Sequence, residues 1–303
     1  LGLILIGVAP VVGFVAYLLS LGLDPLPNSV TVKLGDQPDG GFAATLRSNA
    51  ASYGGRYLLA LSVALAIISF AFWNRDRRRA YFGLGMAATG FAHLVFGATG
   101  WLDRYENYAV LTVVASLALI VSDMGWVVKL GVTSLALLGG VATYGPYIPN
   151  NLANMRAIHL QQAQMARFAK DHVRAPVAVN DLGYVAWRNP NYVLDWWGLA
   201  SPDALSFRRA GDCKAWQSLL ADQHGVRAAM IYDDWLDCPL EDQGWVRLGS
   251  LLTDDAAGAF LGGPEVAFYA RNAVEADALK ADLADWAAGL PQGARFVMEE
   301  SGS

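Results

Sequence analysis

The sequence predicts a membrane α-helical body of about five spans followed by a small extracytoplasmic α/β domain. Three observations carry this. Of 303 residues, 54% are hydrophobic and only 16% charged, against about 25% charged in an ordinary soluble chain, and the mean hydropathy is +0.31. The charges are unevenly spread, sparse up to residue 155 and of ordinary density from 156 to 303. Four arginines stand together in the stretch Asn74-Arg75-Asp76-Arg77-Arg78-Arg79. The expected domains are therefore 1–149, helical and transmembrane, and 150–303, aqueous and α/β.

A hydrocarbon core of about 30 Å needs roughly 20 apolar residues per helix. Residues 1–23 and 57–73 contain no charge, and in 80–102 only His93 can carry one near neutral pH. The stretch 109–122 is short and becomes a span only if extended at either end, while 130–147 is closed by Gly145, Pro146 and Pro149, which break helices. Arginines collect on the cytoplasmic side of a bilayer, so the Arg75–Arg79 loop is predicted inside. Alternate counting then puts 24–56, 101–108 and everything after Tyr147 outside. Trp73, Trp101, Tyr105, Tyr108, Tyr144 and Tyr147 fall at the predicted span ends, the depth that amphipathic rings prefer. The expected location is the bacterial inner membrane, multi-pass, with the bilayer as a partner. Because the sequence begins at Leu1 within an apolar run, without an initiator Met, it is read as part of a longer protein.

In the aqueous half, apolar residues recur at three- and four-residue steps over 150–172, the pattern of an amphipathic helix. Short β-prone runs follow at 176–179, 192–194, 228–232, 246–248 and 266–269, with helical patterns at 213–224 and 274–290. Alternating strands and helices predict an α/β domain, large enough at about 150 residues to bury a core. Cys213 and Cys238 are the only cysteines. On an oxidising side they read as a disulfide, with two buried thiols as the alternative.

A net charge of −5 with 22 Lys and Arg argues against nucleic acid, whose phosphates need a basic face. No Walker loop, GxGxxG, GxSxG, HExxH or paired-cysteine motif occurs, so no cofactor or metal site announces itself. Weaker signals remain, each with a structural alternative. Lys33 follows the polar turn 24–32 and either pairs with a lipid phosphate or snorkels at the interface. In 101–108, Arg104 is suited to a phosphate, and Asp103 or Glu106 to sugar hydroxyls; the alternative is an interfacial turn whose charges pair with each other. His93 is an intramembrane ionisable group or a partner in a helix-to-helix hydrogen bond. Asn180, Asp181 and Asp195 stand at strand ends, where α/β folds place polar sites and where turns also use Asn and Asp. The pair Trp196-Trp197 suits a sugar-stacking surface or docking on the membrane face.

Leu26-Pro27-Asn28-Ser29 with Lys33, Arg104-Tyr105-Glu106-Asn107-Tyr108, Gln161-Gln162-Ala163-Gln164-Met165-Ala166-Arg167-Phe168, Asn180-Asp181-Leu182-Gly183 and Leu194-Asp195-Trp196-Trp197-Gly198-Leu199 occur in an order that resembles the C-terminal half of bacterial GT-C superfamily membrane glycosyltransferases of mannosyl- or arabinosyltransferase type. The resemblance implies transfer of a sugar from a polyprenyl-phosphate donor to a cell-envelope glycan or glycolipid acceptor on the extracytoplasmic face. It also implies a catalytic aspartate in an outer loop that this sequence does not contain, leaving Lys33, Arg104 and Glu106 to line the cavity. The rival expectation is a non-catalytic polytopic membrane protein whose outer domain binds a glycan or a partner protein.

Overall fold

The computed structural model describes residues 2–35, 41–100, 103–211, 215–236, 238–254 and 261–299. By contacts the chain divides into two units, one formed by Leu1–Val32 with Leu152–Ser303 and the other by Lys33–Asn151. Chain order begins with α1 (Gly2–Ser20) and α2 (Asn28–Gly35). The helical unit follows with α3 (Gly41–Ala51), α4 (Tyr53–Ala71), α5 (Arg77–Phe96), α6 (Asn107–Val121) and α7 (Trp126–Tyr144).

The five-span expectation is corrected. Among the described residues, two helices are long and apolar enough to cross a membrane, Tyr53–Ala71 and the helical run Trp126–Val173. Asn107–Val121 has 15 residues, about 22 Å at 1.5 Å per residue, and falls short of the hydrocarbon thickness. Arg77–Phe96 opens on three arginines and continues through Gly, Ala, Thr and His, too polar a mixture to qualify. Counting charge-free stretches overlooked mean apolarity, and the short stretch 109–122 gains no further turn beyond Val121.

Inside the helical unit, α4, α5 and α6 pack around Leu58, Leu61, Leu65, Leu94, Val113 and Leu117, all inaccessible to solvent. The α4–α5 seam is made by small residues. A Cβ on Gly83 would lie 1.9 Å from Ser69 Oγ, and one on Gly90 2.1 Å from Ser62 Oγ. Seven residues separate these glycines, two helical turns, so the backbones approach along one stripe. Helix starts are capped: Ser52 Oγ accepts from Gly55 N, and the Asp76 carboxylate accepts from Arg78 N and Arg79 N. Arg79 also pairs with Asp123, which ties the α5 start to the turn before α7.

The sheet unit continues with α8 (Asn151–Leu160), α9 (Gln162–Arg167), a π-helical turn (Phe168–Val173), β1 (Val177–Val179), α10 (Gly183–Ala186), β2 (Val193–Asp195), α11 (Pro202–Ala210), α12 (Trp216–His224) and β3 (Ala228–Ile231). It ends with β4 (Val246–Thr253), β5 (Glu265–Ala270), α13 (Ala273–Ala288) and β6 (Ala294–Met298). The six strands form one mixed sheet in the order β2-β1-β3-β5-β4-β6. β2, β1 and β3 run parallel; β5 is antiparallel to β3, and β4 is antiparallel to both β5 and β6.

Strand periodicity divides the core in two. Val177, Val179, Met230, Val266 and Phe268 face one side, packing with Phe168, Leu279, Leu283 and Trp286. Ala178, Ala229, Ile231, Ala267 and Tyr269 face the other, packing with Trp196, Trp216, Leu220 and Trp245. Helices thus cover both faces, which explains why the central strands read as apolar runs. Phe168, Phe268 and Trp286 pack as mutually tilted rings with centroids 5.1–5.2 Å apart. Asn28 and Thr31 of α2 join this unit, through Asn28 Nδ2 to Gly198 O at 3.3 Å and Arg209 to Thr31 O at 2.9 Å.

Candidate functional site

Three adjacent parallel strands, β2, β1 and β3, end together, and in open α/β sheets ligands bind outside the carboxyl ends of such strands. The residues that follow them are Trp196-Trp197, Asn180-Asp181 and Tyr232-Asp233. The Asn180 carboxamide clamps two strand ends: its Nδ2 donates to Tyr232 O at 2.8 Å and its Oδ1 accepts from Tyr232 N at 3.0 Å. That places the Tyr232 ring against the start of α9. There Gln162 Nε2 donates to both the Asp181 carboxylate, at 3.0 Å, and Tyr232 Oη, at 2.9 Å. Tyr232 Oη in turn donates to Gln161 Oε1 at 2.5 Å, and Gln161 Nε2 to Gly263 O at 2.9 Å. Burial, then the Asp181 charge, pushes the Tyr232 pKa up, so its hydroxyl stays a neutral donor.

Aromatic rings continue this edge. Tyr232 and Trp235 lie 4.9 Å apart, Trp235 and Trp197 5.1 Å apart, and the Arg208 guanidinium sits 3.8 Å over Trp197. Trp197 and Trp235 are half-buried. The Trp196-Trp197 pair divides by strand alternation: Trp196 is fully buried against Trp245, at 5.3 Å, leaving Trp197 alone at the edge. Asp195 serves the loop, its two oxygens accepting from Trp197 N at 2.9 Å and Ala200 N at 2.8 Å. The edge therefore gathers two half-buried rings, a carboxylate held by a carboxamide and a guanidinium stacked on Trp197 within one surface. Half-buried rings beside planar polar groups suit a sugar ring and its hydroxyls.

In the helical unit, Asp103 and Glu106 turn inward at the end of the bundle, 4% and 0% exposed. Asp103 Oδ1 accepts from Gly54 N at 3.2 Å and Oδ2 from Tyr147 Oη at 2.9 Å; Glu106 Oε2 accepts from Gly100 N at 3.2 Å. Gly54 is needed there, because a Cβ would lie 1.7 Å from Glu106 Oε1. Burial is the main cause that pushes the Glu106 carboxyl up to about 7, with the Asp103 charge adding to it. These bonds pin the 100–106 turn to α4 and to Tyr147, a packing role.

Arg104 is exposed, with its guanidinium over Tyr105, 5.5 Å from the ring centroid. His93, 7% exposed, has its Nδ1 2.7 Å from Tyr108 Oη, the helix-to-helix bond between α5 and α6. Lys33 belongs to α2 rather than to a turn, and its side chain lies outside the described residues, as do Trp101 and Cys213. Cys238 is disulfide-bonded. No metal-binding group of His, Cys, Asp or Glu exists among the described residues.

Among the polar strand-end residues singled out from sequence, the structure brings Asn180 and Asp181 into one cluster. Tyr232, Trp235, Arg208, Gln161 and Gln162 were not singled out as site residues. Their signal was the polar Gln161-Gln162 pair interrupting an amphipathic helix and the aromatic-acidic string Tyr232-Asp233-Asp234-Trp235 after a strand.

Residues 153–269 match the model of a family described as a domain of unknown function, DUF8728. The match runs from α8 into β5 and so contains this strand-end edge. No curated protein and no solved structure matches the chain.

Proposed function

We propose that the protein is part of a membrane glycosyltransferase system using a polyprenyl-phosphate-linked sugar, and that the strand-end edge holds the saccharide. The observation that carries this reading is convergence. Gln161-Gln162, Asn180-Asp181 and Trp197, drawn from three of the stretches on which the GT-C resemblance rests, meet at one edge, where Tyr232 and Trp235 join them. Trp197 and Trp235 stack on the sugar face, while Asp181 takes its hydroxyls. The helical unit supplies the bilayer contact. Tyr53–Ala71 and the run Trp126–Val173 have the necessary length and apolarity, and Ile67, Phe70, Leu111, Leu138 and Val141 remain 66–70% exposed, which in water would be an aggregation hazard. The disulfide at Cys238 favours an oxidising, extracytoplasmic side for the sheet unit.

The test is binding of polyprenyl-phosphate mannose or arabinose to the full chain in lipid nanodiscs. Asp181→Asn and Trp197→Ala are expected to weaken binding about tenfold or more, the loss of a charged hydrogen bond or of a stacked ring, with unchanged melting temperature. Unchanged affinity in both variants would remove the edge from consideration.

A second reading, non-catalytic glycan binding, is favoured by one feature. Asn180 and Asp195 spend their polar atoms on backbone groups, as scaffolding for a binding surface does. Glycan binding without any release of polyprenyl phosphate would select it.

A further inference from the structure

The sheet ends in two edge strands of different design. β2 spans three residues, Pro190 stands shortly before it, and the Asp195 carboxylate folds the chain back after it by accepting from Trp197 N and Ala200 N. Shortness and proline keep an edge from recruiting another strand. β6 has neither device. It runs for five residues, contains no proline, and pairs with β4 alone, in continuous register. Val297 and Met298 are each 46% exposed. A regular, apolar edge of this kind is a template for strand addition.

The free backbone groups fix how a strand can add. Glu299 N donates to Leu248 O at 3.1 Å and Asp254 N to Gly293 O at 2.9 Å, so the odd-numbered residues from Gly293 to Glu299 aim their backbone groups at β4. By antiparallel alternation those of Phe296 and Met298 aim at the open edge, where they have no backbone partner among the described residues. Side chains alternate as well. Phe296 packs on Phe268 and Trp286, which puts Arg295, Val297 and Glu299 together on the opposite face. Charge on that face is unbalanced. Glu299 lies 3.4 Å from Arg247 Nε, but the same guanidinium also holds Asp233 at 2.7 Å and Glu265 at 3.2 Å. Three carboxylates thus share one cation, while Arg295 is exposed and has no carboxylate partner among the described residues.

We propose that β6 pairs antiparallel with β6 of a second copy of this chain, about a twofold axis at Val297. With Val297 opposite itself, Phe296 stands opposite Met298 of the second copy, so their free N–H and C=O groups bond reciprocally and the twofold repeats the exchange. The same register sets Arg295 opposite Glu299 of the second copy, a cross-strand pair of opposite charge on each side of the axis. Neighbouring registers that use the same free groups lose this match. An axis at Arg295 sets two arginines against each other, and one at Phe296 sets Arg295 against Val297. The pairing is independent of the saccharide reading, because it uses the opposite edge of the sheet.

The test is the oligomeric state of the full chain in detergent, followed by sedimentation across a range of concentrations, with disulfide trapping to read the register. Expected is a reversible dimer with Kd on the order of 1–100 µM, in keeping with an interface at the small end of the range. Val297→Cys should cross-link to itself under mild oxidation, beyond any cross-link of the unsubstituted chain, since residues directly opposite lie within disulfide reach. Arg295→Cys should not, because its two copies stand about 14 Å apart along the strands. Arg295→Glu should weaken the dimer about tenfold by setting like charges opposite each other, and adding Glu299→Arg should restore it. Met298→Pro removes an N–H that faces the open edge and spares the β4 ladder. It should give a monomer with a nearly unchanged melting temperature, and it serves as the second variant should the charge variants misfold. A monomer at concentrations well above that Kd, Arg295→Cys cross-linking as readily as Val297→Cys, or undiminished dimerisation of folded Arg295→Glu or Met298→Pro would each overturn the proposal.

Discussion

Arg104 and Glu106 are two positions apart, yet one is exposed and the other sealed. Asp103 explains the divergence: its φ of +51° turns the chain so that the carboxylates of 103 and 106 point into the bundle. Sequence marks this segment as charged and aromatic, but the inward turn depends on Gly54 and Tyr147, both distant in the chain. A consequence follows for pH. The folded Glu106 carboxyl sits near 7, above the ordinary value of about 4.3, so the folded state holds a proton that the unfolded chain has released. Its contribution to stability is fully present below about pH 4 and is lost as pH rises through 7. The melting temperature should fall between pH 5 and 8, and Glu106→Gln should flatten that slope, being more stable than wild type at pH 8 by on the order of 1–2 kcal/mol. Parallel slopes for the two proteins would show that another group titrates.

At the scale of elements, the central strands were legible and the spans were not, for the same physical reason. β1, β3 and β5 are covered on both faces, so each registers as a short apolar run whatever its neighbours are. β6 and α11 escaped notice because their burial is partial: Ala294–Met298 carries Arg295 and exposed residues, and Pro202–Ala210 carries three charges. Gln161 and Gln162 are buried polar groups whose partners, Tyr232 and Asp181, come from strand ends, a pairing no local pattern contains. In the helical unit, the stretch 80–102 read as a span on the strength of missing charge, but its Gly83 and Gly90 serve packing. Gly90→Ala should therefore lower stability by about 1–3 kcal/mol, since the new methyl collides with Ser62. Gly85→Ala is the control: nothing lies within 4 Å of its Cβ, so helix propensity alone should act, stabilising by up to about 1 kcal/mol. Equal melting temperatures for the two variants would mean that the α4–α5 seam is looser than described.

At the scale of the whole molecule, the compartment of the sheet unit is open to a direct experiment. The chain has two cysteines and Cys238 is disulfide-bonded; Cys213 lies outside the described residues, and its pairing with Cys238 is the prediction to be tested. A loop of about 25 residues closed this way is worth roughly 3 kcal/mol in the chain-entropy model, and structural disulfides persist on oxidising sides of membranes. Mass mapping of non-reduced protein taken from membranes should find a 213–238 cross-linked peptide, and reductant should lower the melting temperature of the sheet unit. A reporter active only in the cytoplasm, fused after Ser303, should stay silent. Two alkylatable thiols together with a strong cytoplasmic signal would reverse the side of the sheet unit and, with it, the side on which any saccharide reaches Trp197 and Asp181. A cross-linked peptide accompanied by a cytoplasmic signal would instead separate the two inferences, keeping the disulfide and discarding the compartment.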